Sequence, residues 1–436
     1  MIESRFNIWV DKGSLQYVYN GLTGALLSID REERDALTGY LAGDDTQEIA
    51  DTTLADLMAG KMLLQDGVDE LRVLEELYVR SRSELSHLSL TILPSFGCNF
   101  DCPYCFEAKH PSIMNLEVRG AVVDFVKSRL DSLRSIQVEW FGGEPLVGRK
   151  ALFDLSDRLI AISEDANVKY SASIITNGYL LDMQTCQELQ RVGVQHAQVS
   201  LDGPPSIHDA MRPLRNGDGS FQRIVENLHN TIGRFAVTIR INVDRVNITS
   251  AEALLQILHD EGFAGKLNVY IGHLTGIKDN AAAPSATYSK CMTRKEFSVE
   301  ELKFSWIATK YGFAKPSLPT LTGAPCTAVR NGDLVIGSEG ELYKCYESVG
   351  TPSEVIGNIK DFKDLNSNVR KWLDYSPFRN QECRKCVALP VCMGGCPHHA
   401  FDLQLYENRC GTFRLNHADR IALYIDQHLA SKPTAV

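Results

Sequence analysis

The sequence predicts an α/β chain in which a partial or complete barrel of parallel strands lies between a small N-terminal unit and a cysteine-rich C-terminal segment. Three observations predict it. Strand-like and helix-like stretches alternate from residue 86 to 280, the pattern of a parallel sheet with crossover helices. Residues 1–85 instead run strands first and helices second. The stretch from Cys326 to Cys410 holds seven of the twelve cysteines, with too few apolar residues to build a conventional core.

In the first unit, residues 8–10, 16–19 and 25–29 read as short strands separated by glycine turns. Helical patterns follow at 32–41, 47–59 and 68–82, the last with Leu71, Leu74 and Leu77 among its apolar positions. Three strands and three helices suggest a small winged-helix-like module. From residue 86 the expected strands are 88–93, 136–141, 170–176, 197–201, 236–243 and 267–271, with helices between them, for example 116–133 and 183–192. In such sheets chemistry gathers at the C-terminal ends of the strands. Past Asn280 the alternation stops. Residues 281–325 read as a connector, opened by the Ala/Pro/Ser-rich stretch 281–286. Residues 326–436 form the cysteine-rich unit, closed by a short helix at 417–429 and a frayed tail at 430–436.

Charge and composition narrow the function classes. The net charge is −10, and residues 1–85 carry 17 acidic against 8 basic side chains. No basic patch suggests a nucleic-acid partner. No run of about 18 apolar residues suggests a membrane span, and Met1-Ile2-Glu3-Ser4-Arg5 lacks the opening of a signal peptide, so a cytoplasmic protein is expected. In that compartment thiols stay reduced, and twelve cysteines point to metal or cluster ligation rather than disulfides.

The placement of the cysteines sharpens this. Cys98-x₃-Cys102-x₂-Cys105 follows the first expected barrel strand. Three thiolates within eight residues can hold one corner of a cubane cluster and leave its fourth iron open, whereas zinc sites favour paired Cys-x₂-Cys spacing and four ligands. Gly142-Gly143-Glu144-Pro145 ends the second strand, Thr176-Asn177-Gly178 the third, and Ser200-Leu201-Asp202-Gly203-Pro204 the fourth. His208-Asp209, Arg212 and Gly219-Ser220-Phe221 follow.

With these motifs the chain resembles the radical S-adenosylmethionine (SAM) superfamily, whose hallmark is the Cys-x₃-Cys-x₂-Cys trio. The resemblance implies a TIM-like partial (β/α)₆ barrel. Cys98, Cys102 and Cys105 would then hold a [4Fe–4S] cluster whose open iron takes the amine and carboxylate of SAM. Reduction by a partner such as flavodoxin or ferredoxin would cleave SAM to a 5′-deoxyadenosyl radical that abstracts hydrogen from an unactivated carbon. The same resemblance assigns SAM contacts to Gly142, Gly143, Glu144 and Pro145 at its amino group and to Tyr104 beside the adenine. Asn177, Ser200, Asp202 and Arg212 would complete that site.

The second set, Cys383-x₂-Cys386-x₅-Cys392-x₃-Cys396-x₁₃-Cys410, is preceded by Cys326-x₁₃-Gly340-x₄-Cys345. It resembles the SPASM extension of peptide-modifying radical SAM enzymes. That resemblance implies an outer auxiliary [4Fe–4S] cluster on Cys383, Cys386, Cys392 and Cys410. An inner one would sit on Cys326, Cys345 and Cys396, with Cys291 as the candidate fourth ligand, giving three clusters in all. Cys186, within a helical pattern, is assigned to packing.

Three reactions share this architecture: formylglycine formation by anaerobic sulfatase maturases, thioether formation, and carbon–carbon cross-linking by streptide-type maturases. In the first group an Asp following the cysteine of the Gly-x₄-Cys element acts as base. Here that position is Tyr346, followed by Glu347, and these two are the candidate catalytic residues. The first unit resembles the leader-recognition element of ribosomal-peptide pathways, which implies a precursor peptide whose leader is basic and adds as a β-strand. The resulting expectation is a maturase that installs an intramolecular cross-link in a ribosomally synthesised peptide, carbon–carbon ahead of thioether. The alternatives are formylglycine formation and, in another class, a non-enzymatic iron–sulfur electron carrier. Against the carrier stands the SAM motif beside an open three-cysteine site.

Overall fold

The structure, a computed structural model, describes residues 1–44, 49–276, 282–313 and 317–428. The start of the expected helix at 47–48, the junction of barrel and connector at 277–281, and the frayed tail at 430–436 lie outside the described residues.

Six parallel strands, His87–Ile92, Ser135–Trp140, Lys169–Thr176, Val194–Ser200, Ala236–Val243 and Asn268–His273, pair in chain order. Their bounds fall within a few residues of those expected. Register sets the character of the two faces. Ile136, Val138 and Trp140 are fully buried, and Leu88, Leu90 and Ile92 lie opposite them on the neighbouring strand. Gln198, Ser200, Arg240 and Asn242, from the opposite face of their strands, line the interior. The barrel lumen is therefore polar. Helices cover the outer face. Leu116–Lys127 starts where the Asn115 side chain accepts the Val118 N–H at 2.9 Å, and it buries Val118, Val122, Val123, Phe125 and Val126.

The sheet does not close on itself. At its open edge Leu334–Ile336 runs parallel to the first barrel strand, with Leu334 opposite Leu90 and Ile336 opposite Ile92. Glu341–Tyr343 and Gly357–Asn358 follow antiparallel, making nine strands. The cysteine-rich unit thus extends the barrel sheet. Strands of two or three residues are too short for alternation to announce them, so sequence reading left them out.

The span read as a connector holds a 17-residue helix, Arg294–Lys310, opened by a reciprocal capping box between Thr293 and Glu296. Phe297, Phe304 and Ala308 are buried within the barrel core cluster. The C-terminal helical segment, Phe413–His428, is broken at Asn416 (φ −134°), so its long piece starts at 417 as expected.

The first unit is a three-stranded antiparallel meander, Asn7–Lys12, Leu15–Asn20 and Leu26–Asp30, followed by helices Arg31–Ala42, Asp51–Ala59 and Glu70–Ser83. It does not stand apart. Phe6, Leu74 and Tyr78 share one apolar cluster with Phe378, Cys383, Leu389 and Met393. Ile8, Val10 and Tyr19 share another with Ala388, Phe413, Ile421 and Ile425. The Tyr78 hydroxyl donates to the Tyr375 carbonyl at 2.8 Å. Among the described residues no helix is long and apolar enough to cross a membrane.

Candidate functional site

A cavity of about 410 Å³ opens at the C-terminal ends of the barrel strands. Cys98, Cys102, Tyr104 and Cys105 line it, as do Gly142, Gly143, Glu144, Asn177, Ser200 and Arg212. Residues drawn from four strand ends and one loop in the sequence thus share one wall. Pro145 is buried just behind Glu144, at the start of a single 3₁₀ turn.

Close backbone approach explains the glycines. Gly142 has φ +130°, and a Cβ there would stand 2.4 Å from the Ser95 carbonyl oxygen; one on Gly143 would stand 2.4 Å from that of Phe96. The loop after the second strand therefore lies directly on the loop leading into Cys98, which only glycine permits. The buried Glu144 carboxylate accepts the Leu146 N–H at 3.0 Å, the Asn177 N–H at 2.7 Å and the Thr176 hydroxyl at 2.7 Å. Burial raises its pKa and these donors oppose the rise. The carboxylate is thereby fixed where the second and third strands end.

Tyr104 is held by its hydroxyl rather than left as a free ring. It donates to Asp202 and receives Arg212 Nη1 at 2.5 Å. Asp202 is fully buried, accepts the Asn242 N–H at 2.9 Å, and lies 3.6 Å from the Arg212 guanidinium. His208 receives the Asp202 N–H at its Nδ1 (3.2 Å) and faces the Ser220 hydroxyl at 3.1 Å; Ser220 and Phe221 N–H groups donate to Asp209. The His208-Asp209 and Gly219-Ser220-Phe221 motifs thus brace the loop that carries Arg212 and do not face the cavity. Asn177 donates to Asn99 at 2.8 Å, with Cys98 Sγ 4.0 Å away.

Burial pushes the Cys98 thiol up to about 11 and the Cys105 thiol up to about 12. The counter-charge at hand is Lys109, whose Nζ donates to the Phe100 carbonyl at 2.9 Å and is held up, against its own burial, by the three thiols. Buried thiols converging beside a cation suit an anionic sulfur-ligated cluster.

In the C-terminal segment, Cys383, Cys386, Cys392 and Cys410 act electrostatically on one another, and burial followed by these neighbours raises Cys383 to about 11. Arg414 Nη1 donates to Cys410 Sγ at 2.9 Å. Cys326, Cys345 and Cys396 form a second mutually interacting set. Both sets fit cluster ligation by donor type and grouping.

Cys291 is not brought to the second set. Its segment is tied across the barrel mouth: the Ser285 N–H donates to the Cys105 carbonyl at 2.9 Å, the Tyr288 hydroxyl to Asp244, and His273 Nε2 meets the Met292 carbonyl at 2.7 Å. The charged groups acting on its thiol are Asp244 and Arg245. What the structure groups with Cys396 instead is Glu347 and His399, whose ligand atoms lie within 4.8 Å of it and of one another. Tyr346 packs against Phe106 and Phe141, with ring centroids 6.4 and 5.5 Å away, and lines the cavity together with Glu347. Cys186 is fully buried and points its thiol at the Leu181 carbonyl, 3.5 Å away, as a packing residue would.

Sequence reading missed Glu107, Lys109, Glu139, Arg240 and Asn242, which also line the cavity or hold its walls. Arg240-x-Asn242 at the end of the fifth strand carried a usable signal, two polar residues on alternate positions at the catalytic end of a barrel strand. Glu107 and Lys109 carried none beyond their nearness to Cys105.

Comparison with known proteins follows the same outline. Residues 92–258 match the profile of the radical SAM superfamily. The cysteine-type anaerobic sulfatase-maturating enzyme of Clostridium perfringens is 27% identical over 340 residues, 71% of this chain and 88% of that protein. The solved structure of native anSMEcpe with bound AdoMet superposes with a TM-score of 0.60 at 20% identity, over 78% of this chain and 100% of that one. Streptococcus suis SuiB bound to precursor peptide SuiA superposes with a TM-score of 0.51 at 15% identity, over 94% of this chain and 99% of that one.

Proposed function

We propose that this radical SAM enzyme, with its SPASM-type extension, is a peptide maturase that closes an intramolecular cross-link in a ribosomally made precursor, carbon–carbon ahead of thioether. The radical SAM domain implies a [4Fe–4S] cluster and AdoMet, which together supply a carbon radical able to abstract hydrogen. The chain's own residues do the rest. Cys98, Cys102 and Cys105 would hold that cluster; Glu144, Asn177, Ser200, Asp202 and Arg212 would fix AdoMet against it. Cys326, Cys345 and Cys396, and separately Cys383, Cys386, Cys392 and Cys410, would hold two further clusters. A cross-link removes two hydrogens from the peptide, so a second electron must leave the substrate, and nearby clusters can accept it.

The single observation that carries ring formation over formylglycine is the side chain after Cys345. Tyr346 packs there in an aromatic wall with Phe106 and Phe141, where oxidation to an aldehyde would call for a base beside the carbon. A second reading, formylglycine formation, draws support from the sulfatase-maturating relatives and would need Glu347, which also lines the cavity, to act instead. The first unit favours a precursor peptide: the likeness to SuiB extends over 94% of the chain, against 78% for anSMEcpe.

The test is to reduce the reconstituted protein with dithionite or a flavodoxin system and supply AdoMet with the short peptide encoded by a neighbouring reading frame. The reading expects 5′-deoxyadenosine in step with modified peptide, and deuterium in the 5′-deoxyadenosine when the peptide is deuterated at the attacked carbon. AdoMet cleavage that leaves every candidate peptide unchanged would contradict it.

A further inference from the structure

The barrel lumen holds a guanidinium that no carboxylate among the described residues pairs. We infer that Arg240 is the anchor for a carboxylate of the substrate peptide, an Asp or Glu side chain in the segment that is modified. The inference rests on the proposed maturase reading and names the class of peptide its cavity selects.

Three observations lead to it. Arg240 and Asn242 occupy alternate positions on the fifth barrel strand, so both side chains face the cavity at the C-terminal end of the sheet. The head group is held in one orientation. Arg240 Nε donates to Asn242 Oδ1 at 2.8 Å, and Asn242 Nδ2 donates in turn to the buried Asp202 carboxylate at 3.1 Å. A guanidinium only donates and a carboxylate only accepts, so the amide between them has one way round. Gly272, on the sixth strand, leaves the guanidinium its room: a Cβ there would stand 2.5 Å from Arg240 Nε and 3.1 Å from Nη2. Finally, Nη1 and Nη2 have no hydrogen-bond or ion-pair partner among the described residues. A cation enclosed in a lumen is costly until an anion meets it, and the open fork of a guanidinium fits a carboxylate through two parallel N–H groups.

Two carboxylates of the same cavity, Glu139 and Glu347, are the internal rivals. Glu347 acts on Arg240 only through space and is turned to His399, 3.6 Å away, while Glu139 stands outside ion-pair reach. Phenols near the fork are engaged elsewhere: Tyr270 donates to Gln198 at 2.6 Å and Tyr104 to Asp202. Because Tyr104 and Tyr346 are both among the fork's neighbours, a peptide anchored there lies beside the proposed AdoMet wall. AdoMet carries a carboxylate of its own. On the proposed reading that group is committed to the open iron held by Cys98, Cys102 and Cys105, so the peptide is the favoured source.

The test uses the full-length reconstituted enzyme and two precursor peptides: the one encoded by the neighbouring reading frame, and the same peptide with the Asp and Glu of its modified segment exchanged for Asn and Gln. With the unaltered enzyme the exchange should lower kcat/KM for peptide modification roughly tenfold to a hundredfold, the strength of a charge-assisted contact. Arg240→Gln should lower it as much for the natural precursor, and for the exchanged peptide by no more than about twofold further, so that the two losses coincide rather than multiply. Arg240→Lys, which keeps the charge and loses the fork, should restore only part of the rate. Where Arg240→Gln fails to fold, Gly272→Ala, which displaces the fork and keeps its charge, takes its place and should show the same coincidence. AdoMet affinity, read by calorimetric titration, should fall by less than kcat/KM in each variant. Undiminished turnover of the exchanged peptide, turnover of a precursor with no Asp or Glu in that segment, or losses that multiply would overturn the assignment. A fall in AdoMet affinity as large as the loss in kcat/KM gives the fork to AdoMet's carboxylate and overturns it likewise. Failure of the unaltered enzyme to modify the natural precursor at all contradicts the maturase reading, and the assignment falls with it.

Discussion

Gly142, Gly143 and Glu144 join the loop that carries Cys98 to the cavity wall, and their roles are steric and electrostatic in turn. Gly143→Ala places a methyl group 2.4 Å from a backbone oxygen. It should cost about 1–3 kcal/mol in stability and abolish AdoMet binding, read by thermal unfolding and by calorimetric titration. Replacing Cys98, Cys102 and Cys105 together by Ala should remove about a third of some twelve irons and all 5′-deoxyadenosine formation. An iron content left unchanged would contradict the assignment. His208 tests the bracing of the Arg212 loop. Burial, with Arg212 adding to it, holds its pKa well below 6.5. The unfolded chain therefore takes up this proton first, so the stabilisation is complete above about pH 6.5 and is lost as pH falls below that value. In His208→Gln the stability–pH slope between about pH 6.5 and 5 should flatten. At this scale much was legible: motif spacing named about half of the residues that line the cavity, because those motifs sit at the strand ends that the fold brings together. Cys291 was misjudged, since nothing in a local pattern reveals that Tyr288 and Met292 tie its segment to the barrel mouth, and Glu347 and His399 become neighbours only through folding.

Among the elements, the six barrel strands were legible because β-rich runs recur between amphipathic helices, and Ala236–Val243 matched to the residue. The three short strands beyond Asp333 were not, and neither was the helix Arg294–Lys310, whose apolar residues are spread round it rather than gathered in a stripe. The most consequential surprise is how the first unit is mounted. Read from sequence it is a small winged-helix-like module; in the structure, Phe6, Leu74 and Tyr78 complete an apolar core with Phe378, Leu389 and Cys383. Deleting residues 1–85 would strip that core from a proposed cluster ligand, so point changes are the sounder probe. Tyr78→Ala should cost about 3–5 kcal/mol. Heating the variant should bleach the cluster absorbance together with the loss of helical signal, both at a lower temperature than in the unaltered protein. Early bleaching of about a third of the absorbance with the remainder unshifted would localise the damage to the outer site. An unshifted transition would show that the two segments do not support each other. The same arrangement predicts that Cys410→Ala impairs peptide modification more than uncoupled AdoMet cleavage.

For the molecule as a whole, most of the net charge of −10 resides in residues 1–85, at 17 acidic against 8 basic side chains, while the catalytic cavity lies in a nearly neutral remainder. A basic leader should therefore associate faster at low salt, and its affinity should fall as ionic strength rises past the point where the Debye length is about 8 Å. Fluorescence anisotropy of a labelled leader measures this, and salt-independent binding would argue against an electrostatic role for the first unit. In the proposed reaction a radical opened at the barrel mouth ends in a ring. Ring closure and formylglycine formation from Ser both remove about two mass units, so the chemistry of the product must decide. The most direct measurement treats the modified peptide with an aldehyde-reactive hydroxylamine and then fragments it by tandem mass spectrometry. A cross-link predicts no adduct and a run of residues that yields no internal fragments, bounded by the two joined positions. An adduct on a single Ser or Cys, with fragmentation uninterrupted on either side, would contradict the account and assign Glu347 the role of base.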